Sequence, residues 1–408
     1  MPTDNSPVRR AAVIGSGTMG RGITISCADA GIAVTLIDNQ AAAIDRARAA
    51  LAESYAARFE KGRIDGPTMT ARLARITTAD SLAAAADVDL VIEAAFEDLG
   101  VKQEIFRELD RIARPGTMLG TNTSTLDIDA IASATARSAD VIGLHFFSPA
   151  NVMKLLEIVR GTRTSPATIA TARALARQLG KIGVVAGNCD GFIGNRMLAP
   201  YRRQADFLLE EGGTPASIDA ALKRFGFAMG PFAVSDLAGL DIGWSIRKRR
   251  NAAAPPLGRS SHVADRLCER GRFGQKTGAG YYRYEPGDRT PHPDPAVDAL
   301  VAEAAREAGI IRRKIDDDEI VKRCIYALVN EAAAILAEGI AASAADVDTV
   351  WVNGYGFPAA RGGPLQHADS IGLASVVADM HDLEREHGEI WKPAPLLAEL
   401  AAGGRRWI

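Results

Sequence analysis

A short apolar run, Ala11–Ile14, passes directly into Gly15-Ser16-Gly17-Thr18-Met19-Gly20 and then into a helix-like stretch over residues 22–30. No other feature restricts the fold so strongly. A brief apolar run bounded by a turn signal predicts a buried strand. G-x-G-x-x-G between a strand and a helix is the fingerprint of a dinucleotide-binding unit. Gly15 permits the tight turn, Gly17 lets a pyrophosphate approach the backbone, and Gly20 lets helix pack closely on strand. Thr18 and Met19 lie where the helix opens, and its free N–H groups and positive dipole end suit phosphate. A second strand, Val34–Ile37, ends in Asp38, eighteen residues beyond Gly20. A carboxylate there hydrogen-bonds the adenosine ribose and repels a 2′-phosphate, which favours NAD over NADP.

Further apolar runs predict strands at Val88–Ile92, Thr117–Gly120 and Val141–His145, and the alanine- and charge-rich segment from Asp38 to about Gly62 predicts a helix. Open parallel sheets bind ligands at the carboxyl ends of their strands. Glu93 to Glu97, Asn122 to Ser124 and His145 all fall at such ends, with Lys102 on the helix that follows the first group. Twelve residues past His145, Glu157 stands inside Leu155-Leu156-Glu157-Ile158-Val159. A carboxylate among aliphatics is costly to bury without a partner. An imidazole suits it, because the carboxylate fixes the tautomer and holds the positive charge that develops. The plainer alternative pairs Glu157 with Lys154 or Arg160 and makes His145 a core histidine. Ser54 and Lys61 lie two helical turns apart and so share a face about 10 Å apart; most such pairs are simply solvated.

Length and composition bound the rest. With 408 residues, 47% hydrophobic and 24% charged, the chain fits two or three domains of an ordinary globular protein. A net charge of -2 argues against general binding of nucleic acid or membrane surfaces. Cys27, Cys189, Cys268 and Cys324 show no paired spacing for zinc, so no metal site is expected and reduced thiols are the simplest reading. The N-terminal segment has no apolar signal core and no run is long enough to span a bilayer. A cytoplasmic location is the resulting expectation.

From Gly187 the pattern turns helical and then repeats. Arg196, Glu211-Gly212 and Asp219 are answered 127 positions later by Arg323, Glu338-Gly339 and Asp346. Phe225-Gly226-Phe227 is answered 130 positions later by Tyr355-Gly356-Phe357. Gly230-Pro231, Asp236 and Gly239-Leu240 are answered 133 positions later by Gly363-Pro364, Asp369 and Gly372-Leu373. A helical unit of about 80–100 residues, a small-domain size, is duplicated. Its chemistry is not, since Lys322 stands where Asn195 would be. The proline-rich stretch 286–295 between the copies predicts an exposed, stiff linker. Arg247-Lys248-Arg249-Arg250, the most basic spot in the chain, predicts a solvated loop, with contact to ligand phosphates as the alternative.

Taken together, Gly15–Gly20, Asn122–Leu126, Gly143–Pro149, Gly191–Arg196, Met229–Phe232 and Arg272–Gly278 resemble the NAD-dependent L-3-hydroxyacyl-CoA dehydrogenases over nearly the whole chain. The doubled helical tail is similar to the dehydrogenase half of the multifunctional fatty-acid oxidation proteins, here without an enoyl-CoA hydratase domain ahead of the glycine motif. The resemblance implies an α/β protein: a Rossmann-type NAD-binding domain (residues 1–187), then an all-α domain of two helical units (188–288 and 289–408), the second degenerate. It implies His145 as general base and Glu157 as its orienting carboxylate, with Ser124 and Asn195 holding an acyl-CoA substrate. It places Asp38, Glu97, Lys102, Asn122 and Lys276 at NAD beside the glycine turn, and Ser54 and Lys61 at coenzyme A. The short members dimerise through their helical domain, and the second copy stands where a partner would. A monomer or homodimer is therefore expected, with association with a separate hydratase or thiolase left open. Two other readings keep the fold: a dehydrogenase of a free hydroxy acid such as L-gulonate, and a catalytically silent NAD-binding scaffold.

Overall fold

The computed structural model describes residues 7–253 and 258–407. The chain forms two compact units, Met1–Asn195 with Ile335–Tyr355, and Arg196–Ala334 with Gly356–Ile408. Among the described residues no helix is long and apolar enough to cross a membrane.

Among the described residues the first unit is built on eight strands: β1 (Arg10–Ile14), β2 (Ala33–Ile37), β3 (Ile76–Ala79), β4 (Leu90–Glu93), β5 (Met118–Thr121), β6 (Val141–Phe146), β7 (Leu155–Arg160) and β8 (Ile182–Gly187). They run β3-β2-β1-β4-β5-β6-β7-β8 across one sheet. Every neighbouring pair is parallel except β6 and β7, which run antiparallel. This is a Rossmann-type sheet with its order reversing at β1. A crevice therefore opens beyond the carboxyl ends of β1 and β4. The central strands read as near-continuous apolar runs because both their faces are covered.

Two helices on this sheet show why the pattern folds this way. α1 (Thr18–Asp29) begins four residues before the helix-like stretch, since Gly17 is its N-cap. α2 (Ala41–Glu60) buries Ile44, Ala47, Leu51 and Tyr55, a spacing of three, four and four that keeps one stripe inward. Residues 335–355, which the sequence places in the second helical repeat, cluster with the sheet. Gly187 donates its N–H to Ile340 O at 2.7 Å, and Ala186 and Ala341 form an isolated antiparallel bridge.

The second unit is helical. Its repeat shows in hydrogen bonding as well as in sequence. Asp236 accepts from the Tyr281 and Tyr282 N–H groups, both at 2.9 Å, and its counterpart Asp369 accepts from Trp407 N–H at 3.0 Å. In each copy an aspartate in the helix after Gly-Pro ties down a later segment of chain. One pairing needs correction. Asp219 stands five residues after the N-cap Thr214, and the residue five after the N-cap Ser343 is Asp348, not Asp346. Asp346 instead occupies the position of Ser217, the third residue of the cap. The basic stretch is also not a loop. It lies in the helix Leu240–Ala253, where Arg247 pairs with Asp265 and the Lys248 ammonium sits 3.3 Å from the Trp244 ring centroid.

Arg323, fully buried, joins two long helices of this unit. Its guanidinium meets Glu211 at 2.5 and 3.2 Å, Gln204 at 3.1 Å and Glu319 at 3.1 Å.

Candidate active site

The glycine turn fits the cofactor that the sequence predicts. Gly15 has φ +98°, and a Cβ there would stand 2.5 Å from Ala94 O. A Cβ on Gly20 would meet Gly15 O at 1.8 Å, so helix and loop touch backbone to backbone. Gly17 differs: nothing lies within 4 Å of its missing Cβ. The first turn of α1 carries no side-chain cap and no acidic residue. An open space facing uncapped N–H groups is what a pyrophosphate requires.

Asp38, at the end of β2, braces this loop. Its Oδ2 accepts from Ser16 N–H at 2.9 Å and Ser16 Oγ at 2.6 Å, and its Oδ1 from Gln40 N–H at 3.1 Å. Burial pushes this carboxyl up, but the hydrogen bonds from Ser16 and Gln40 prevail and hold it below the usual carboxylate range. It is a fixed negative charge with a lone pair on Oδ1 left for a ribose hydroxyl.

At the ends of β4 and β5 the structure shows a buried cluster. Lys102 is 1% exposed and matches its three ammonium hydrogens to Glu93 Oε1 and Oε2, at 2.8 and 2.9 Å, and Glu97 Oε2, at 3.2 Å. Glu93 also accepts from Ala95 N–H and Thr121 Oγ1, at 2.7 and 2.6 Å. Sequence reasoning marked Glu93 only as a strand end. A fully buried lysine needs an equally buried carboxylate, but that burial is set by the fold and leaves no mark in the sequence. Glu97 Oε1 accepts from Thr123 Oγ1 at 2.6 Å and Ser124 N–H at 2.9 Å. Burial raises the Glu97 carboxyl, but the Lys102 charge and these hydrogen bonds bring it below its ordinary value. Asn122 accepts from Phe146 N–H at 2.9 Å, pinning the end of β6 to β5.

His145 and Glu157 face each other across the antiparallel ladder, in register. Directly opposed residues carry their side chains on one face, with Cβ atoms about 5 Å apart. His145 Nδ1 and Glu157 Oε2 are 2.7 Å apart. Glu157 is fully buried and His145 is 5% exposed. The other carboxylate oxygen accepts from Ile193 and Gly194 N–H, at 3.2 and 3.0 Å. The turn that aims those groups holds Phe192 at φ 53°, a conformation unfavourable to any residue with a Cβ. An ionised carboxylate only accepts, so Nδ1 carries the proton and Nε2 is left as the acceptor. The partner of Glu157 is therefore His145, and among the described residues neither Lys154 nor Arg160 pairs with it. Glu157 also lies in the middle of its strand rather than near an end.

Ser124 follows β5, and its hydroxyl has no partner among the described residues. Asn195 donates from Nδ2 to Ser124 O at 3.3 Å and accepts at Oδ1 from Tyr355 OH at 2.8 Å. Sequence reasoning missed Tyr355, which lies 160 residues away in the second repeat. Ser54 is half-buried in α2, and Lys61, its C-cap, is exposed. Lys276 belongs to the other unit, where its ammonium pairs with Asp241 at 2.6 Å.

Comparison with known proteins identifies the family. The model for the 3-hydroxyacyl-CoA dehydrogenase NAD-binding domain matches residues 10–189. The model for the family's C-terminal domain matches twice, at residues 191–284 and 320–406, one match per repeat. The chain is 46% identical to the peroxisomal bifunctional enzyme of Danio rerio over 97% of its own length and 56% of that protein's. It therefore spans little more than half the length of such relatives. Among solved structures it resembles 3-hydroxybutyryl-CoA dehydrogenase from Escherichia coli, with TM-score 0.84 and 29% identity over 98% of this chain and 100% of that one. It also resembles (S)-3-hydroxybutyryl-CoA dehydrogenase PaaH1 from Ralstonia eutropha, with TM-score 0.64 and 34% identity over 68% of this chain and 99% of that one. One expectation is overturned. Composition pointed to the cytoplasm, but the Danio rerio relative is named peroxisomal, and general polarity and reduced cysteines are equally at home there. The glycine turn, the two matched domains and the repeated tail lead to one conclusion: this chain belongs to the 3-hydroxyacyl-CoA dehydrogenase family, and its cofactor is NAD.

Proposed function

We propose that the protein reversibly oxidises an (S)-3-hydroxyacyl-CoA to the 3-ketoacyl-CoA. The observation that carries this reading is the buried His145–Glu157 pair, 2.7 Å apart beside the Ser124–Asn195 hydrogen bond. When bound, NAD supplies the acceptor for the hydride leaving C3. His145 Nε2 takes the proton of the 3-hydroxyl, and Glu157 holds the imidazolium that results. Ser124 Oγ and the second hydrogen of Asn195 Nδ2 remain for the reacting oxygen and the thioester carbonyl, which orients C3 and polarises the oxygen. The Lys102–Glu93–Glu97 cluster positions the Thr123–Ser124 backbone. Ser54 and Lys61 lie on the helical face assigned to coenzyme A, where Lys61 would meet a phosphate as a point charge. A hydroxyacyl thioester is the product class of an enoyl-CoA hydration, and the keto product is the class consumed by thiolytic cleavage. Enzymes of those two types are the expected reaction partners.

One assay panel tests this: initial rates on 3-ketoacyl-CoAs of four to sixteen carbons, with NADH and NADPH. Reduction of at least one chain length is expected. NADH should be preferred at least about tenfold in kcat/KM, a discrimination of about 1.4 kcal/mol from the Asp38 charge. Equal use of both cofactors would remove Asp38 from the reading. Activity that survives loss of the CoA moiety would make a free hydroxy acid the substrate, and silence across the whole panel would leave an NAD-binding scaffold.

A further inference from the structure

The second helical repeat lost the counterpart of Asn195, yet it contributes a side chain to the site. Tyr355 is the C-cap of its helix, as Gly226 is of the matching helix in the first repeat, so the phenol oxygen is particular to the second. We propose that Tyr355 is a positioning residue that fixes the Asn195 amide for substrate, an inference that rests on the dehydrogenase reading above. Ser124 O accepts only, so the amide must turn Nδ2 toward it; Oδ1 then faces Tyr355, whose hydroxyl donates. One Nδ2 hydrogen is thereby spent and the other is presented. Among the described residues, a single 3.3 Å contact would hold the amide without the phenol.

The ring itself is held from several directions. It stacks on Trp351 with centroids 4.8 Å apart and meets Phe147 edge-on at 5.5 Å. Phe147 in turn lies 4.6 Å from the His145 ring. Gly194 leaves the space the phenol occupies, since a Cβ there would stand 2.4 Å from the Tyr355 ring. Burial and the nearby Glu157 charge push the phenol well above its ordinary range, so it stays a donor throughout the working pH. Asn195 is thus set by a residue that a chain with one helical copy would not have.

The test is Tyr355→Phe, which keeps the ring and its packing. The expected result is a fall in kcat for 3-ketoacyl-CoA reduction of about 3–10-fold, the effect of one neutral hydrogen bond. KM for NADH should stay within about twofold, and melting should be little changed. In an Asn195→Ala background the same substitution should have no further effect on kcat. An unchanged kcat, or an equal loss in both backgrounds, overturns the proposal while leaving the dehydrogenase reading intact. A second readout needs no turnover. The Asn195 side-chain amide resonance, assigned by its loss in Asn195→Ala, should shift in Tyr355→Phe and exchange faster with water. An unmoved resonance overturns the proposal even if wild-type protein reduces none of the substrates.

Discussion

Replacing His145 with glutamine is expected to lower kcat for 3-ketoacyl-CoA reduction by about 10²–10⁴-fold, the usual worth of a positioned acid–base group. Glutamine fills similar space and still offers Glu157 an N–H, so the carboxylate keeps its two backbone donors, Ile193 and Gly194, and gains a neutral third. What it lacks is a ring nitrogen with a free lone pair to take up the hydroxyl proton. NADH binding, followed by fluorescence, should therefore stay within about twofold of wild type, because the glycine turn and Asp38 lie on other strands. Glu157→Gln should be milder than His145→Gln, since the base remains and only its orientation and charge support are lost. Near-wild-type turnover in His145→Gln would end the assignment of His145 as the base.

The largest effect on stability is expected at Arg323. Truncation to alanine strands Glu211 and Gln204 in a buried site, and breaking a buried pair of this kind costs about 3–5 kcal/mol. Glu211 keeps Arg259, at 2.6 Å, so the lower end is expected. Chemical denaturation should show the loss as a reduced midpoint. Arg323→Met with Glu211→Leu should recover most of it, because no charge is then left unpaired. A loss below about 1 kcal/mol in the single variant would show that water or a rearranged neighbour satisfies Glu211.

The pH dependence of that difference follows from linkage. Burial raises the Glu211 carboxyl, but Arg323 and Arg259 outweigh it and hold the folded-state value below the ordinary one. A depressed carboxylate contributes stability above its unfolded value, near 4.3, and loses that contribution as pH falls through the folded value. The gap between wild type and Arg323→Ala should accordingly close on acidification. Asp206, Asp219 and Asp236 act in the opposite sense. Burial pushes each up to about 6 against its hydrogen bonds. Their protonated forms are favoured in the folded chain, so they lower stability as pH rises from about 4 to 6.

The glycine turn, Asp38 and the buried parallel strands were legible in the sequence because each leaves a local mark: a glycine where no Cβ fits, an acid at a fixed distance, an unbroken apolar run. β3, β7 and β8 leave none. Ile76-Thr77-Thr78-Ala79 is a half-exposed edge, Glu157 interrupts the apolar run of β7, and glycines thin out β8. The antiparallel turn between β6 and β7 was not legible either, since side-chain alternation carries no information about a partner. Sequence spacing therefore permitted the His145–Glu157 contact without dictating it. Tyr355 and Glu93 were missed for a related reason: their roles depend on what the fold brings beside them. The Asp219 mismatch arose from matching identities where the cap residues, Thr214 and Ser343, set the helix phase.

The ladder that opposes His145 to Glu157 also shapes how this chain can change over generations. Side chains alternate with a period of two, so one residue inserted within β6 or β7 moves its acid or base to the far side of the sheet. Substitutions at Leu144, Leu156 or Ile158, on the opposite face, preserve that alternation whatever aliphatic is used. Descendants that keep the activity should therefore drift in composition along these two strands while their lengths stay frozen, and a shift of one position in either strand would mark a lineage that has abandoned the chemistry.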